Sequence, residues 1–441
     1  MASKSTIQIS LSILSVHSSS MKKRTFLKAF AAASISPSLF DQMDQWNLIL
    51  EGISPVQVAQ NEAYWLSIRE GYKLEPDYIN IENGDYCMTP QYTMERYHDL
   101  IGDVNYQASY YMRTEQWDNK DSAAARLAAL IGASPDEVVI TRNTTESLDT
   151  IIGGYPWKEG EEAVYAHQDY GAMRNQFKLM EQRYGIKSNI IQIPNHPKSD
   201  AEIVSLYESA ITPKTKLLMV CHIINITGHI LPIKKICDMA HSHGVDVMVD
   251  GAHVIGHIDF DINDLNCDYY GSSLHKWLSV PLGAGLLYVK KGKAKNLWPL
   301  FAEYGKDDDD IKKLNHTGTH PVHTDLAIHD AIDYLDKMGL KRKEARLRYL
   351  QRYWTDQVRN HPNINVNTPV ERHRSCGIAN VGITGIKPKE MAKKLLTEYQ
   401  IWTVGIDSPP VEGCRITPNV YTTIEELDAF VLALKRMAED R

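Results

Sequence analysis

Val245-Asp-Val-Met-Val249 runs without a break into Asp250-Gly-Ala-His253, and Asp268-Tyr-Tyr-Gly-Ser-Ser-Leu-His-Lys276-Trp277 follows with a second apolar run ending in polar groups. A continuous apolar run without alternation suits a strand buried on both faces, the pattern of a parallel sheet clothed in helices. Leu217-Leu-Met-Val220 reads the same way. Outward from these, strand character recurs at Glu137 to Thr141, Glu162 to Ala166, Asn189 to Ile193, Lys216 to Ile223 and Ala284 to Val289. Helical spacing lies between them, at Asp121 to Leu130, Thr144 to Ile152, Met173 to Tyr184, Ala201 to Ala210 and Ile233 to His243. The alternation predicts an α/β chain with a mainly parallel sheet. A smaller C-terminal α+β unit is expected from about residue 320, with helices at Asp325 to Met338, Arg342 to Arg359 and Ile424 to Met437. The expected division is 1–45 for an N-terminal segment, 46–319 for a large domain and 320–441 for a small one.

With 441 residues, 43% hydrophobic and 23% charged, the chain has ample apolar mass for a large core, which excludes disordered and small disulfide-stapled classes. Lys+Arg 48 against Asp+Glu 55 leaves a formal charge of -7 without a basic stripe, so no nucleic-acid partner is expected. No apolar stretch approaches the ~20 residues of a spanning helix, and no stable membrane span is expected. Cys87, Cys221, Cys237, Cys267, Cys376 and Cys414 are scattered without ligand spacing, so neither a metal site nor a disulfide framework is expected.

Residues 1–20 are Ser-rich, and Met21-Lys-Lys-Arg-Thr-Phe-Leu-Lys28 then precedes a small-residue stretch from Ala29 to Leu39. A cationic start, a mildly apolar middle and Ala31-Ala-Ala-Ser34 read as an export signal. Lys23-Arg24 resembles the twin-arginine motif with lysine in the first place, which points to a periplasmic destination; the alternative is a basic tail on a cytoplasmic protein.

Ligands of open α/β sheets collect where strands end, and four strand exits carry unusual polar groups. Asp250 is a carboxylate suited to a charged ring nitrogen, a metal or a helix cap. Lys276 follows with Ser273 and His275 beside it, and His253 lies close in sequence to Asp250. Ile140-Thr-Arg-Asn-Thr-Thr-Glu-Ser147 enters an apolar helix, so Thr144 and Thr145 offer hydroxyls and free N–H groups to a phosphate. Asn225 ends the Val220 to Asn225 run. A lysine amine, a carboxylate, an anion site and a ring-facing residue together meet the needs of pyridoxal 5'-phosphate.

Asp250-Gly-Ala-His253 followed by Ser273-Leu-His-Lys276 resembles the class V aminotransferases of the fold-type I pyridoxal-phosphate enzymes, most closely their isopenicillin N epimerase-like branch. The likeness runs from about Tyr78 to the C-terminus. It implies that Tyr78-Ile-Asn-Ile-Glu-Asn83-Gly84 lies near the substrate, that Thr141 to Glu146 is the phosphate loop, and that Tyr170 stacks on the pyridine ring. It further implies that Asn225 approaches that ring, that Thr317-Gly-Thr319 reaches a neighbouring subunit's phosphate in a homodimer with shared sites, and that Arg415 grips a substrate carboxylate. His253, Ser273 and His275 are expected at the cofactor.

The resemblance implies a PLP-dependent enzyme acting on an amino acid or its conjugate by transamination, epimerisation, or β-elimination or C–S cleavage. Tyr86 and His222 are the candidates for a second acid/base. A cysteine-persulfide route is not expected, because Ile401 to Gly413 carries no cysteine and Cys414 sits on the expected strand beside Arg415. A non-catalytic cofactor-binding protein is the remote alternative.

Overall fold

The computed structural model describes residues 39–302 and 305–439; the Lys23-Arg24 stretch, with the export reading placed on it, lies outside the described residues. A short strand, β1 (Ile79–Asn80), precedes the central sheet. That sheet is built from β2 (Val138–Thr141), β3 (Glu162–Ala166), β4 (Lys187–Ile191), β5 (Thr215–Cys221), β6 (Asp246–Asp250), β7 (Tyr269–Ser273) and β8 (Gly285–Val289). Among the described residues its order is β2-β8-β7-β6-β5-β3-β4, with β8 antiparallel to both neighbours and the rest running one way.

Both faces of the sheet are covered, which explains the unbroken apolar runs. Leu218 and Val220 of β5, with Val247 and Val249 of β6, enter one core, while Leu217, Met219 and Met248 enter the core on the opposite face. Alternate side chains of a strand point to opposite faces, so two buried faces need apolar residues at every position. β4 ends at Ile191, two residues earlier than its sequence pattern suggests. The Gln168 amide takes over both backbone groups of Ile193, accepting from its N–H at 3.1 Å and donating to its carbonyl at 2.5 Å.

The small unit holds β9 (Ile364–Val366), β10 (Ala379–Ile383), β11 (Ile401–Trp402), β12 (Val404–Ser408) and β13 (Val411–Ile416). Its four-stranded antiparallel sheet has the order β12-β13-β10-β9, and β11 pairs in parallel with β1 instead. Trp354 packs edge-on against Phe430 at 5.3 Å in its core. Helix Leu340–Val358 joins the units, with Leu347 in the large core and Leu350 and Trp354 in the small one.

Two expected boundaries run through packed structure. Residue 45 falls inside helix Leu39–Ile49, whose Met43 is buried and whose Phe40 stacks on Tyr92 at 4.2 Å. Helix Val322–Met338, expected with the small unit, sends Ile328, Ala331 and Leu335 into the core of the large one. Apolar helix faces follow the nearest complementary surface, and chain order does not specify which surface that is.

The loop after β5 is pinned across to the small unit. Thr368 donates its hydroxyl to the Thr227 carbonyl at 2.7 Å, and Gly228 adopts φ +74 with its Cα facing the Ile378 carbonyl. A Cβ at Gly228 would lie 2.0 Å from that oxygen. Gly228→Ala is therefore expected to cost about 1–3 kcal/mol or more from overpacking and unfavourable φ. Thermal unfolding should show a lowered midpoint, and an unchanged one would contradict the tight docking.

Candidate functional site

Strands β5 and β6 end level, Cys221 facing Asp250, while β7 runs two residues past Gly271, the partner of Asp250. Their polar ends and the N-terminus of helix Thr144–Gly154 open on one cleft of about 320 Å³. Asp250, Lys276, Thr144, Thr145, Tyr170 and Asn225 all line it, as do Ser273, His253 and His275. Residues separated by more than a hundred positions thus meet as the four strand exits suggested.

Lys276 lies in the turn after β7, with its Nζ 3.0 Å from His253 Nε2 and 3.5 Å from Asp85 Oδ1. Burial pulls its pKa below the ordinary lysine value, outweighing the opposing pull of Asp85 and Asp250. His253 is 3% exposed, and burial followed by the Lys276 charge holds its pKa well below normal, so the ring is neutral. The Trp277 indole N–H donates to His253 Nδ1 at 3.4 Å, which leaves Nε2 as the ring nitrogen that faces Lys276 Nζ. His257 props this arrangement from behind: it donates from Nδ1 to the His253 carbonyl at 2.8 Å, accepts from the Gly377 N–H at 2.8 Å, and stacks on Trp277 at 3.8 Å.

Asp250 terminates β6, buried, with the Ala252 N–H donating to Oδ1 at 3.0 Å. Burial raises its pKa, and the Ala252 N–H and the Lys276 charge oppose that rise. An anion held in this way is stabilised by a cationic partner arriving in the cleft. At the helix N-terminus, Asn143 caps by accepting from the Glu146 N–H at 2.9 Å. Ser273 Oγ accepts from the Thr144 N–H at 2.9 Å and lies 2.6 Å from the Thr144 hydroxyl. Ser273 therefore ties the end of β7 to the helix that faces the cleft. Tyr170, 48% exposed, stands at the N-cap of helix Gly171–Tyr184 with its ring at the cleft mouth. His275 has an unpartnered buried Nδ1, and burial, then the Lys276 charge, push its pKa down to about 4.

Arg415 on β13 is 2% exposed and does not itself line the cleft; it is joined to it through Asp85, with its guanidinium already engaged. It donates to Glu82 through Nε at 3.2 Å and through Nη2, and to Asp85 through Nη1 at 3.4 Å and Nη2 at 2.7 Å. Gly84 passes over it so closely that a Cβ would meet Arg415 Nε at 3.3 Å.

Three residues expected at the site stand elsewhere. Asn83 is fully buried and holds the small unit, donating to the Thr417 carbonyl at 2.9 Å and accepting from the Tyr421 hydroxyl at 2.7 Å. Thr319 is exposed and outside the cleft of its own chain. His222 is packed behind the sheet end, its Nδ1 3.2 Å from the Tyr270 hydroxyl, and burial pushes its pKa down to about 4. Tyr86, the other candidate acid/base, does line the cleft and is stacked 6.0 Å from His275. Asp85 went unrecognised in the sequence. The signal was present, since acidic residues at 82 and 85 flank the Asn83-Gly84 turn.

A profile described as Aminotransferase class-V matches residues 87–430. Isopenicillin N epimerase of Streptomyces clavuligerus is 26% identical over 393 residues, covering 84% of this chain and 98% of that protein. A probable cysteine desulfurase of Halalkalibacterium halodurans is also 26% identical, over 73% of this chain and 83% of its own. The solved apo structure of a cysteine desulfurase from Thermococcus onnurineus NA1 superposes with a TM-score of 0.75 at 19% identity, covering 85% of this chain and 98% of that one, which establishes likeness of fold.

The lowered pKa of Lys276 has a kinetic consequence. Only a neutral amine attacks a carbonyl, and its fraction rises as pH climbs through the pKa. The rate at which protein freed of cofactor captures an aldehyde at Lys276 should therefore rise at lower pH than for an ordinary lysine. Stopped-flow rates across a pH series check this; a rise only near the ordinary lysine value would refute it.

Proposed function

This chain belongs to the class V aminotransferase family and has the fold-type I architecture that its sequence suggests; on that premise we propose that it is a pyridoxal-phosphate enzyme working at the α-carbon of an amino acid or amino-acid conjugate. One observation carries the reading: an amine, a buried carboxylate, a helix N-terminus lined with hydroxyls and an aromatic ring converge on one cleft. Those groups fit the cofactor one by one. Lys276 would hold it covalently and would supply a base beside the α-carbon. Asp250 keeps the ring nitrogen protonated, Thr144 and Thr145 receive the phosphate, and Tyr170 stacks on the ring, while Asn225, His253, Ser273 and His275 complete the seat. Bound there, the cofactor supplies an electron sink for charge developing at the α-carbon. Arg415 is the group suited to a substrate carboxylate, because a guanidinium forks onto it bidentately.

The epimerase-like assignment within this class is supported by a relative matched over almost its full length. An eliminating or C–S-cleaving lyase is the second reading, favoured by the kinship to cysteine desulfurases. The comparisons do not themselves set sulfur transfer aside; the placement of the thiols is what speaks against a persulfide route. Cys414 is fully buried on β13 with its Sγ 3.7 Å from the Pro388 carbonyl, and burial pushes its pKa up to about 12. Cys87 is pushed to about 12 in the same way. Cys221 lies at the cleft, and burial beside Asp169 and Asp250 keeps it a thiol. A thiolate is the form that attacks sulfur, and burial disfavours it at all three. A homodimer in which the Thr317-Gly-Thr319 loop serves the partner's site rests on that loop's resemblance to the family's, and Thr319 is exposed outside the cleft of its own chain.

Lys276→Ala should remove the cofactor link that borohydride otherwise fixes to that residue, as read by peptide mass. Asp250→Ala should retain the link and lose turnover. Cys414→Ser should remain active; its inactivation would restore the persulfide route. The substrate screen is exchange of the α-hydrogen for deuterium across L- and D-amino acids and sulfur-containing conjugates, with product analysis. Exchange in none of them would sink the functional reading. Light scattering at micromolar concentration should give twice the chain mass, and a fully active monomer would refute shared sites.

A further inference from the structure

Arg415 has two edges that can grip a carboxylate, and both are taken. Glu82 occupies the Nε–Nη2 edge and Asp85 the Nη1–Nη2 edge. The two anions differ in how firmly they are held. The Glu82 side chain is 9% exposed, and its backbone is held by a parallel bridge to Thr417, the residue after β13. The Asp85 side chain is 43% exposed, lies just past Gly84, and lines the cleft. Asp85 also reaches the large unit, its Oδ1 lying 3.5 Å from Lys276 Nζ while Oδ2 accepts from Arg415 Nη2 at 2.7 Å. Its carboxylate thus spans the guanidinium suited to a substrate carboxylate and the amine that marks the reacting centre. An α-amino acid has to set a carboxylate in that same span.

We propose that Asp85 fills the seat of the substrate's α-carboxylate in the free protein and selects for ligands that carry a carboxylate able to replace it on Arg415. The inference rests on the functional reading above and adds to it a specificity-determining residue. A ligand carboxylate exchanges with Asp85 like for like: the guanidinium keeps two anions, the negative charge beside Lys276 is conserved, and the loop bearing Asp85 turns out toward solvent. An amine without a carboxylate leaves Asp85 in place, where its side chain obstructs the approach to Lys276. The charge-assisted contact that Asp85 gives up is regained by the ligand, so the affinity observed for any carboxylate is lower than Arg415 alone would confer.

The test uses the cofactor-loaded protein and propionate, a carboxylate with no amine to react. Calorimetric titration of the wild type, Asp85→Asn and Asp85→Ala is paired with the pH midpoint of the bound cofactor's visible absorbance, which reports the proton on the Lys276 nitrogen. Loss of the competitor should tighten propionate binding by about tenfold or more in both variants. The variants' midpoint should fall below that of the wild type, because an anion beside the nitrogen favours its protonated form. Saturating propionate should return it toward the wild-type value, while moving the wild-type midpoint little because one anion replaces another. Propionate binding no tighter in either variant than in the wild type would overturn the proposal. A variant midpoint that propionate leaves unmoved would also overturn it, since an anion drawn only by the lost charge binds away from Lys276. Absence of any cofactor absorbance in the wild type is a different failure: it rejects the cofactor reading, and calorimetry with propionate still decides the role of Asp85.

Discussion

A guanidinium with almost no access to water has to be paired where it stands, and the pairing of Arg415 organises the meeting of the two units. Its partners, Glu82 and Asp85, come from the segment that begins with β1 and is held to the small unit by pairing with β11 and by Asn83 contacts to Thr417 and Tyr421. That segment ends at the cleft, where Asp85 meets Lys276 of the large unit. The same interaction that neutralises a buried charge therefore sets the small unit's strand β13 against the turn after β7. The loop after β5 makes a second crossing through Thr227 and Thr368. The cleft floor is consequently fixed from both sides.

Within the large unit, the reactive character of the cleft comes from desolvation. Lys276, His253, His275 and Asp250 all shift toward their neutral forms, and burial is the leading cause each time. A neutral imidazole beside Lys276, oriented by the indole of Trp277, gives the lysine a polar partner while burial shifts it toward its nucleophilic form. The second row behind it, His257 with Gly377, belongs to the joint between the units. The chemistry of the amine and the docking of the small unit thus share parts.

Much of this was legible in the residues themselves. The runs that became β5, β6 and β7 lacked alternation because both their faces are buried, and the polar groups that ended them were the ones that reached the cleft. Where reading failed, a contact across the chain had intervened. The Gln168 side chain, not a neighbouring strand, satisfied Ile193, and β4 ends at Ile191. Helix Val322–Met338 found its apolar complement on the large unit, and Asn83, a plausible ligand-facing amide, was consumed by Thr417 and Tyr421.

By itself the sequence determined the class of fold, the family and the strand ends at which chemistry collects. The fold class and the strand ends depend on periodicity and on residue type at a fixed offset from a strand, which are local, and the family on the resemblance of motifs in their order along the chain. Only the tertiary structure decided which polar groups share a cleft, that Arg415 is already doubly paired, and that Asp85 stands between it and Lys276. Those facts depend on the register with which distant segments pack and on how far each charge is removed from water. No stretch of chain carries that information alone, because burial and pairing are properties of the assembled surfaces.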